Sequence, residues 1–535
     1  IDLGISYLSK YANNVEGIQW LQKGLEISTR NQNFAHSLLC IRFLLLIDTS
    51  NQEAYIKSLE ELVDHEYTEA KLFYSEYLIE ERTDYPLEMV HGEDILRDLV
   101  TEKNTAAMKQ LAKYQLEEDH PLYNEQDAYA LLQQLIDIQD TDAMRIMGVR
   151  LLVNDKNTSV DRAIELITQA SNLGNERALI LLSELHYKGT HLPKNIPEAN
   201  ACLIKAGEKG STNALHKLGL RLLEQKQRQD HIDGEAYLRR AADKGNSKAM
   251  IALGRLLLDG SKHIKQNKLE GEKWLRAAIK TNTLDAYTTL GRRLIYGDNI
   301  KLNINDGIEL LTYAANRNWP PAQYILSAIY SDGVDTGVPP NIPVAMQYLE
   351  KGVAVEYPPS LLALGKILIS GTYNQTKDVS RGIKLIEKAI EARLDGAREA
   401  LADMLIDGSL PRDLVRAEVL LREAVANNSS SAMALLGSYI ARGILPALAL
   451  DEAYTLLTQA CDDDNSQGKL ILSNLLIRKP RTPDDINRGE SLLRSMLDHK
   501  EYGLRAKCEL AELIVCGYLQ HIQPSQGTQL YSQIV

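Results

Sequence analysis

The sequence predicts an all-α protein, a solenoid of about fifteen stacked helix-turn-helix units. Three observations predict it. A small-residue motif recurs along the chain, a second motif alternates with it, and glycines fall where each first helix should stop. A chain of 535 residues would otherwise suggest about three or four domains. Repetition removes that need, because each added unit extends a core instead of founding a new one.

The first motif defines helix A of each unit. It is a small residue, four positions ending in an apolar one, then Gly, Ala or Ser. It reads Ala143-Met-Arg-Ile-Met-Gly148, Ala178-Leu-Ile-Leu-Leu-Ser183, Ala214-Leu-His-Lys-Leu-Gly219, Ala249-Met-Ile-Ala-Leu-Gly254 and Ala286-Tyr-Thr-Thr-Leu-Gly291. Ala322, Ser360, Ala397, Ala432, Gly468 and Ala506 continue the register. Toward the N-terminus, Ala107, Ala70 and Ala35 hold the first position. Successive anchors lie about 35 to 38 residues apart, the range of paired-helix repeats.

The second motif defines helix B: Gly or Ala, two variable residues, a large apolar pair, then often Ala. Gly234-Glu-Ala-Tyr-Leu-Arg-Arg-Ala-Ala242 and Gly271-Glu-Lys-Trp-Leu-Arg-Ala-Ala278 show it. Apolar residues at i, i+3, i+4 and i+7 make both elements short amphipathic helices. The recurrent Ala and Gly predict helix axes too close together for larger side chains. Helix A is expected to stop at Gly189, Gly260, Gly297, Gly333, Gly371, Gly408 and Gly443, since glycine takes the left-handed conformation at low cost. Pro320-Pro321 and Pro358-Pro359 suit first helical turns. Leu3-Gly4 fits the end of a motif begun before Ile1, and the chain is expected to finish inside a helix B from Gly527 to Val535. Residues 1–140 follow the motif less closely and hold all three Phe, so they read as a divergent arm of the same solenoid. Residues 141–535 are its regular part, continuous with the arm.

Composition narrows the function. Net charge is -12, which argues against a general nucleic-acid binder, because phosphate recognition needs a basic surface. The most apolar stretch, Phe34 to Ile47, is broken by His36 and Arg42 and is too short to span a bilayer. The first residue is Ile, so a signal or lipid anchor upstream stays open. The five cysteines, Cys40, Cys202, Cys461, Cys508 and Cys516, show no metal spacing. Cys508 and Cys516 are expected on one helix, about 12 Å apart by rise, too far for a disulfide. All five read as small buried residues, and free thiols lean toward a reducing compartment without excluding a periplasm.

The combined pattern, Ala-x-x-x-Leu-Gly-x-x-(Leu/Tyr)-x-x-Gly, a loop, then Ala-x-x-(Trp/Tyr/Leu)-Leu-x-x-Ala-Ala-x-x-Gly, resembles the Sel-1-like repeat, a tetratricopeptide-related family. The best matches are Ala178 to Gly210, Ala214 to Gly245 and Ala249 to Ala278, and the resemblance is strong from about residue 141 to 460. It implies a right-handed α/α superhelical solenoid and a scaffold or adaptor without enzymatic activity. The loops Lys188 to Pro197 and Asp332 to Pro343 are longer than the family's and carry proline. They are similar to loops of the periplasmic scaffold lipoprotein of bacterial alginate export. That similarity implies a periplasmic location, with outer-membrane anchoring through a segment upstream; the thiols keep the cytoplasm open.

No catalytic constellation appears, and neither a metal nor a cofactor is implied. His186 and His191 are five residues apart, across a helix end. Asp462-Asp463-Asp464-Asn465 lacks the Gly and Glu of an EF-hand loop in either register, which leaves an acidic turn capping the next helix. Tyr287, Tyr324, Tyr330 and Tyr348 read as core packing or as a contact surface. A helices commonly line the concave groove of tandem helical repeats. Off their packing stripe lie Arg145, Arg150, His216, Lys217, Arg221, Arg255, Arg292 and Arg293, with Lys366 extending the row. These residues are the candidate partner-binding set, able to pair with carboxylates. The competing reading is that they pair with neighbouring acids or simply solvate the face.

The leading expectation is a protein–protein interaction scaffold of a bacterial envelope complex for exopolysaccharide secretion, gripping a secretion component on its concave face. Alternatives are direct binding of an anionic polysaccharide and a host-interacting virulence adaptor of the same repeat family. The sequons at Asn157 and Asn374 keep a quality-control adaptor of the endoplasmic reticulum in view. An enzyme would need a pocket of converging titratable groups.

Overall fold

The computed structural model describes residues 15–48, 50–80, 86–153, 159–332, 337–445, 449–499 and 502–532. Leu3-Gly4, Asn157, Gly333 and the last three residues lie outside them. Among the described residues there are 29 α-helices, one 3-10 turn and no strand. The chain forms two compact units, Ile1–Asn246 and Ser247–Val535. In the first, a helix over Val15–Arg30 precedes six A/B pairs, from Phe34–Ile47 with Gln52–Asp64 to Thr212–Leu223 with Arg228–Asp243. The second holds eight pairs, from Ser247–Asp259 with Lys268–Lys280 to Gly503–Val515 with Pro524–Ser532. One core cluster runs from Ile79 to Ala178, through the expected change of character at residue 140.

The anchor residue of helix A is the most deeply placed. Ala70, Ala107, Ala143, Ala178, Ala214, Ala249, Ala286, Ala322, Ser360, Ala397, Ala432 and Ala506 are all fully buried. Ala35 is the exception: it is exposed, and Ser37 is the buried residue in its place. The Ser37 hydroxyl donates to Ser28 Oγ at 2.9 Å, so in this unit the inward position has moved two residues along.

The second small residue of the motif explains how A and B approach. A Cβ on Gly254 would lie 2.8 Å from Leu275 Cγ and 3.0 Å from the Gly271 carbonyl oxygen. A Cβ on Gly271 would lie 2.8 Å from the Gly254 carbonyl. Backbone thus faces backbone, and each glycine admits the other helix. The same reciprocal contact joins Gly291 to Gly307 and Gly365 to Gly382.

Helix ends follow their capping residues. Gly189 takes φ 74° and returns its N–H to the Leu185 carbonyl at 3.0 Å. Asparagine dominates the starts: Asn175, Asn195, Asn267, Asn303, Asn341 and Asn465 each accept a backbone N–H from the first turn. Asn175 also donates to Thr141 Oγ1 and Asp142 Oδ1, both at 3.1 Å, which ties one helix A to the start of the preceding one. In the acidic turn, Asp464 takes φ 61°, and Asn465 caps the next helix through the Gly468 N–H at 2.7 Å.

The cysteines differ from expectation. Cys40 and Cys202 are buried, Cys461 and Cys508 are half-buried, and Cys516 is exposed. The helix bearing Cys508 ends at Val515, so Cys516 lies just past it as the C-cap, where the chain turns back through Gly517.

Candidate interaction face on the A helices

Helix A buries its anchor and the fourth and fifth residues beyond it. The seventh residue lies two turns on, on the anchor's own side, and the sixth lies off that side. Arg150, Arg221 and Arg293 are seventh residues; Arg255 and Arg292 are sixth. Opposite charges one repeat away meet.

In the first unit, Arg145 Nε lies 3.7 Å from Asp142 Oδ1 on its own helix. Arg150 Nη2 donates to Glu118 Oε1 at 3.2 Å, with Glu125 at 3.9 Å from its Nε. Lys217 pairs with Glu184 of the preceding helix A. His216 is half-buried and engaged within the fold. Arg221 is buried. Its Nη1 donates to Ser183 Oγ at 2.9 Å and its guanidinium lies 4.2 Å from the centre of the Tyr187 ring. Burial pulls its pKa down from the ordinary value, yet arginine stays protonated at neutral pH.

In the second unit, Arg293 is buried and grips Asp259 with two bonds, Nη1 to Oδ1 at 2.7 Å and Nη2 to Oδ2 at 2.6 Å. Those bonds hold the Asp259 carboxyl below its usual range. Arg255 is half-exposed, donating to Thr289 Oγ1 at 2.6 Å and to Asp285 Oδ1 at 3.4 Å. The Arg292 side chain is exposed and forms neither a hydrogen bond nor an ion pair among the described residues. Lys366 is exposed as well, with the Asp403 carboxyl in its field.

The candidate residues thus do different work. Arg221 and Arg293 are internal struts, Arg150, Lys217 and Arg255 are links between repeats, and Arg292 faces solvent. The tyrosines pack: Tyr287 stacks on Tyr313 at 4.4 Å, Tyr330 lies parallel to Tyr348 at 6.4 Å, and Tyr324 meets Tyr357 edge-on at 6.3 Å. His186 is half-buried and His191 exposed. No group of His, Cys, Asp or Glu among the described residues is placed to hold a metal ion. No described helix is long and apolar enough to cross a membrane.

One region of the A-helix face is unmarked in the sequence. In the second unit, the helices Ala397–Asp407, Ser430–Ala441, Ser466–Arg478 and Gly503–Val515 border a groove of about 590 Å³. Leu435, Leu470, Ile471 and Leu475 give it an aliphatic floor. Arg442, Arg478, Lys479 and Arg505 stand around it with Asp403 and Glu509. The Tyr439 hydroxyl donates to Asp403, and the Asn474 amide donates to Glu509. A comparison of charges between helix A of one repeat and the next is the signal that could have located it.

The family comparison agrees with this architecture. The Sel1 repeat model matches eight stretches: 177–211, 212–246, 247–280, 284–319, 320–354, 358–393, 397–429 and 430–465, together more than half of the chain. The helix pair beginning at Thr141, which carries the motif, precedes the first match. A Sel1 repeat protein from Oxalobacter formigenes is 21% identical, covering 61% of this chain and 93% of its own, with a TM-score of 0.41. A protective antigen of uropathogenic Escherichia coli with an SLR fold is 17% identical, covering 86% and 97%, with a TM-score of 0.38. An immunity protein from Pseudomonas aeruginosa is 17% identical over 37% of this chain and 75% of its own, with a TM-score of 0.27. The search of curated proteins returned no match. The eight consecutive matches, together more than half of a chain whose described residues form paired helices, place this protein in the Sel1 repeat family.

Proposed function

We propose that the protein is a non-enzymatic scaffold whose A-helix face holds a protein partner. The observation that carries this reading is the preorganisation of that face. Its polar side chains are fixed by bonds from one repeat to the next, as in Arg293 with Asp259, while Arg255 and Arg292 remain accessible. Such a surface binds with little loss of side-chain freedom. The finer reading is an envelope complex for exopolysaccharide secretion of the alginate type, with the partner a component of that machine. The Pro-bearing loop from Lys188 to Pro197 supports it.

The test is an affinity pull-down from envelope extract with wild type beside an Arg255→Glu, Arg292→Glu variant of equal helicity. Arg221 and Arg293 are left intact, because reversing a buried charge would unfold their repeats. Capture of a secretion component by wild type alone is the expected result. Equal capture by the variant removes the face from the reading, and capture without any secretion component removes the envelope assignment. A second reading, direct binding of an anionic polysaccharide, is favoured by Arg292, exposed and without an ion pair among the described residues. It requires alginate binding that weakens steeply with salt, and an absence of binding at low salt ends it.

A further inference from the structure

We infer that the groove between helices Ala397–Asp407 and Gly503–Val515 is a docking site for an extended acidic peptide segment carrying aliphatic side chains. This deepens the scaffold reading and rests on it.

Charge is the first argument. Four cations line the groove against two carboxylates. Arg478 is paired with Glu512, and the two carboxylates accept from the Tyr439 hydroxyl and the Asn474 amide, so Arg442, Lys479 and Arg505 carry the seat's charge. Burial and the neighbouring charge of Asp407 push the Asp403 carboxyl up. The Arg442 side chain is exposed and forms neither a hydrogen bond nor an ion pair among the described residues. Lys479 is exposed, and its ammonium donates to the Ala441 carbonyl at 3.1 Å, which leaves its charge uncompensated. Arg505 is exposed, 4.0 Å from Glu509. A chain of net charge -12 thus keeps a local cationic seat.

The floor decides the class of ligand. Leu435 and Ile471 are half-buried at the same register of successive A helices and line the groove with the cations. A polyuronate offers nothing apolar to place there, whereas a peptide alternates carboxylates with aliphatic side chains. Successive A helices about 8–10 Å apart give four of them a span of about 24–30 Å. At about 3.3 Å per residue, that span fits roughly eight residues of extended chain.

The experiment uses the full chain and a fluorescein-labelled ten-residue peptide of Asp, Glu, Ser and Leu. Its controls are the same peptide with Asn and Gln for the acids, and an oligoglucuronate. Binding is read by fluorescence anisotropy at low and moderate salt. Expected are micromolar binding of the acidic peptide and at least tenfold weakening in an Arg442→Glu, Arg505→Glu variant. Both side chains are exposed, and unchanged helical circular dichroism verifies the fold. A further expected result is at least tenfold weaker binding of the amide peptide. The inference is overturned by equal binding to wild type and variant, by an equal or tighter oligoglucuronate complex, or by no binding at low salt. Envelope pull-downs separate the two proposals. A partner captured by wild type that binds no acidic peptide at low salt sinks the groove and leaves the scaffold. Peptide bound in the groove with no secretion component captured sinks the envelope assignment and leaves the groove.

Discussion

Asp48 shows how much one side chain can organise in the N-terminal arm. It follows helix Phe34–Ile47 and accepts from Ser50 Oγ at 2.5 Å, Tyr55 hydroxyl at 2.6 Å and Asn51 Nδ2 at 2.9 Å. These donors, Ser50 foremost, lower its pKa to about 2. A carboxyl depressed in the folded state contributes stability above its unfolded value of about 4, and loses it as pH falls toward the folded value. Urea midpoints of wild type should therefore fall between pH 4 and 2, and the Asp48→Asn protein should show a shallower fall. Gln22 reaches Tyr55 at 2.7 Å from the helix that carries Trp20, so with Trp274 and Trp319 replaced by Phe the fluorescence of Trp20 reports on this arm. Identical acid slopes would refute the assignment. Arg293 offers the complementary case. Arg293→Ala removes a buried guanidinium and its paired bonds, and should destabilise its unit by about 2 kcal/mol, less than a fully buried pair because Asp259 is 48% exposed. A drop below about 0.5 kcal/mol in chemical denaturation would mean that the strut is dispensable. These roles were not legible from local sequence. Arg293 reads like Arg292, its neighbour, until the residue one repeat away is known: Asp259 stands 34 positions back. The struts become visible only when repeats are aligned with one another.

At the scale of the helix, most boundaries were legible because glycine reports backbone conformation directly. Gly189, Gly297, Gly371 and Gly408 all take positive φ where helix A was expected to stop. The register of helix Phe34–Ile47 was not legible, because apolar residues cover every side of it. Leu46 is 78% exposed while Leu44 is fully buried, and the sequence alone does not rank them. Nor did composition place Cys516, since a C-cap position is set by where the helix ends and not by residue type. The turn from B to the next A holds a residue at positive φ in unit after unit. It is Gly210 in the best-matching repeats but Glu356 and Arg393 further on, with φ 106°, 53° and 57°. A side chain in the left-handed region costs about 1–2 kcal/mol that glycine avoids. Arg393→Gly should therefore stabilise the second unit by up to about 1 kcal/mol, with part of the gain offset by the freer unfolded chain. Gly210→Ala should do the reverse in the first unit, where a Cβ meets nothing within 4 Å and only the backbone is strained. Unchanged urea midpoints for both would show that the turn carries no strain.

For the whole molecule, the repeat makes stability a sum of local terms. Each helix packs on its partner within a pair and on the neighbouring pairs, so distant repeats share no core. The division into Ile1–Asn246 and Ser247–Val535 then has a consequence. The second unit contains eight complete pairs, its own anchors from Ala249 to Ala506, and the reciprocal glycine contacts that seat B against A. Several stacked repeats suffice for a cooperative fold, because nucleation in one pair is repaid by its neighbours. Residues 247–535 expressed alone should therefore show the same helical ellipticity per residue as the whole chain and unfold in a cooperative urea transition. The groove lies wholly inside this fragment, so the fragment should also keep the acidic peptide affinity of the full protein. A fragment with weak ellipticity and no transition would show that the first unit supplies an essential template. A folded fragment that loses the peptide would mean that the groove's geometry depends on residues before Ser247.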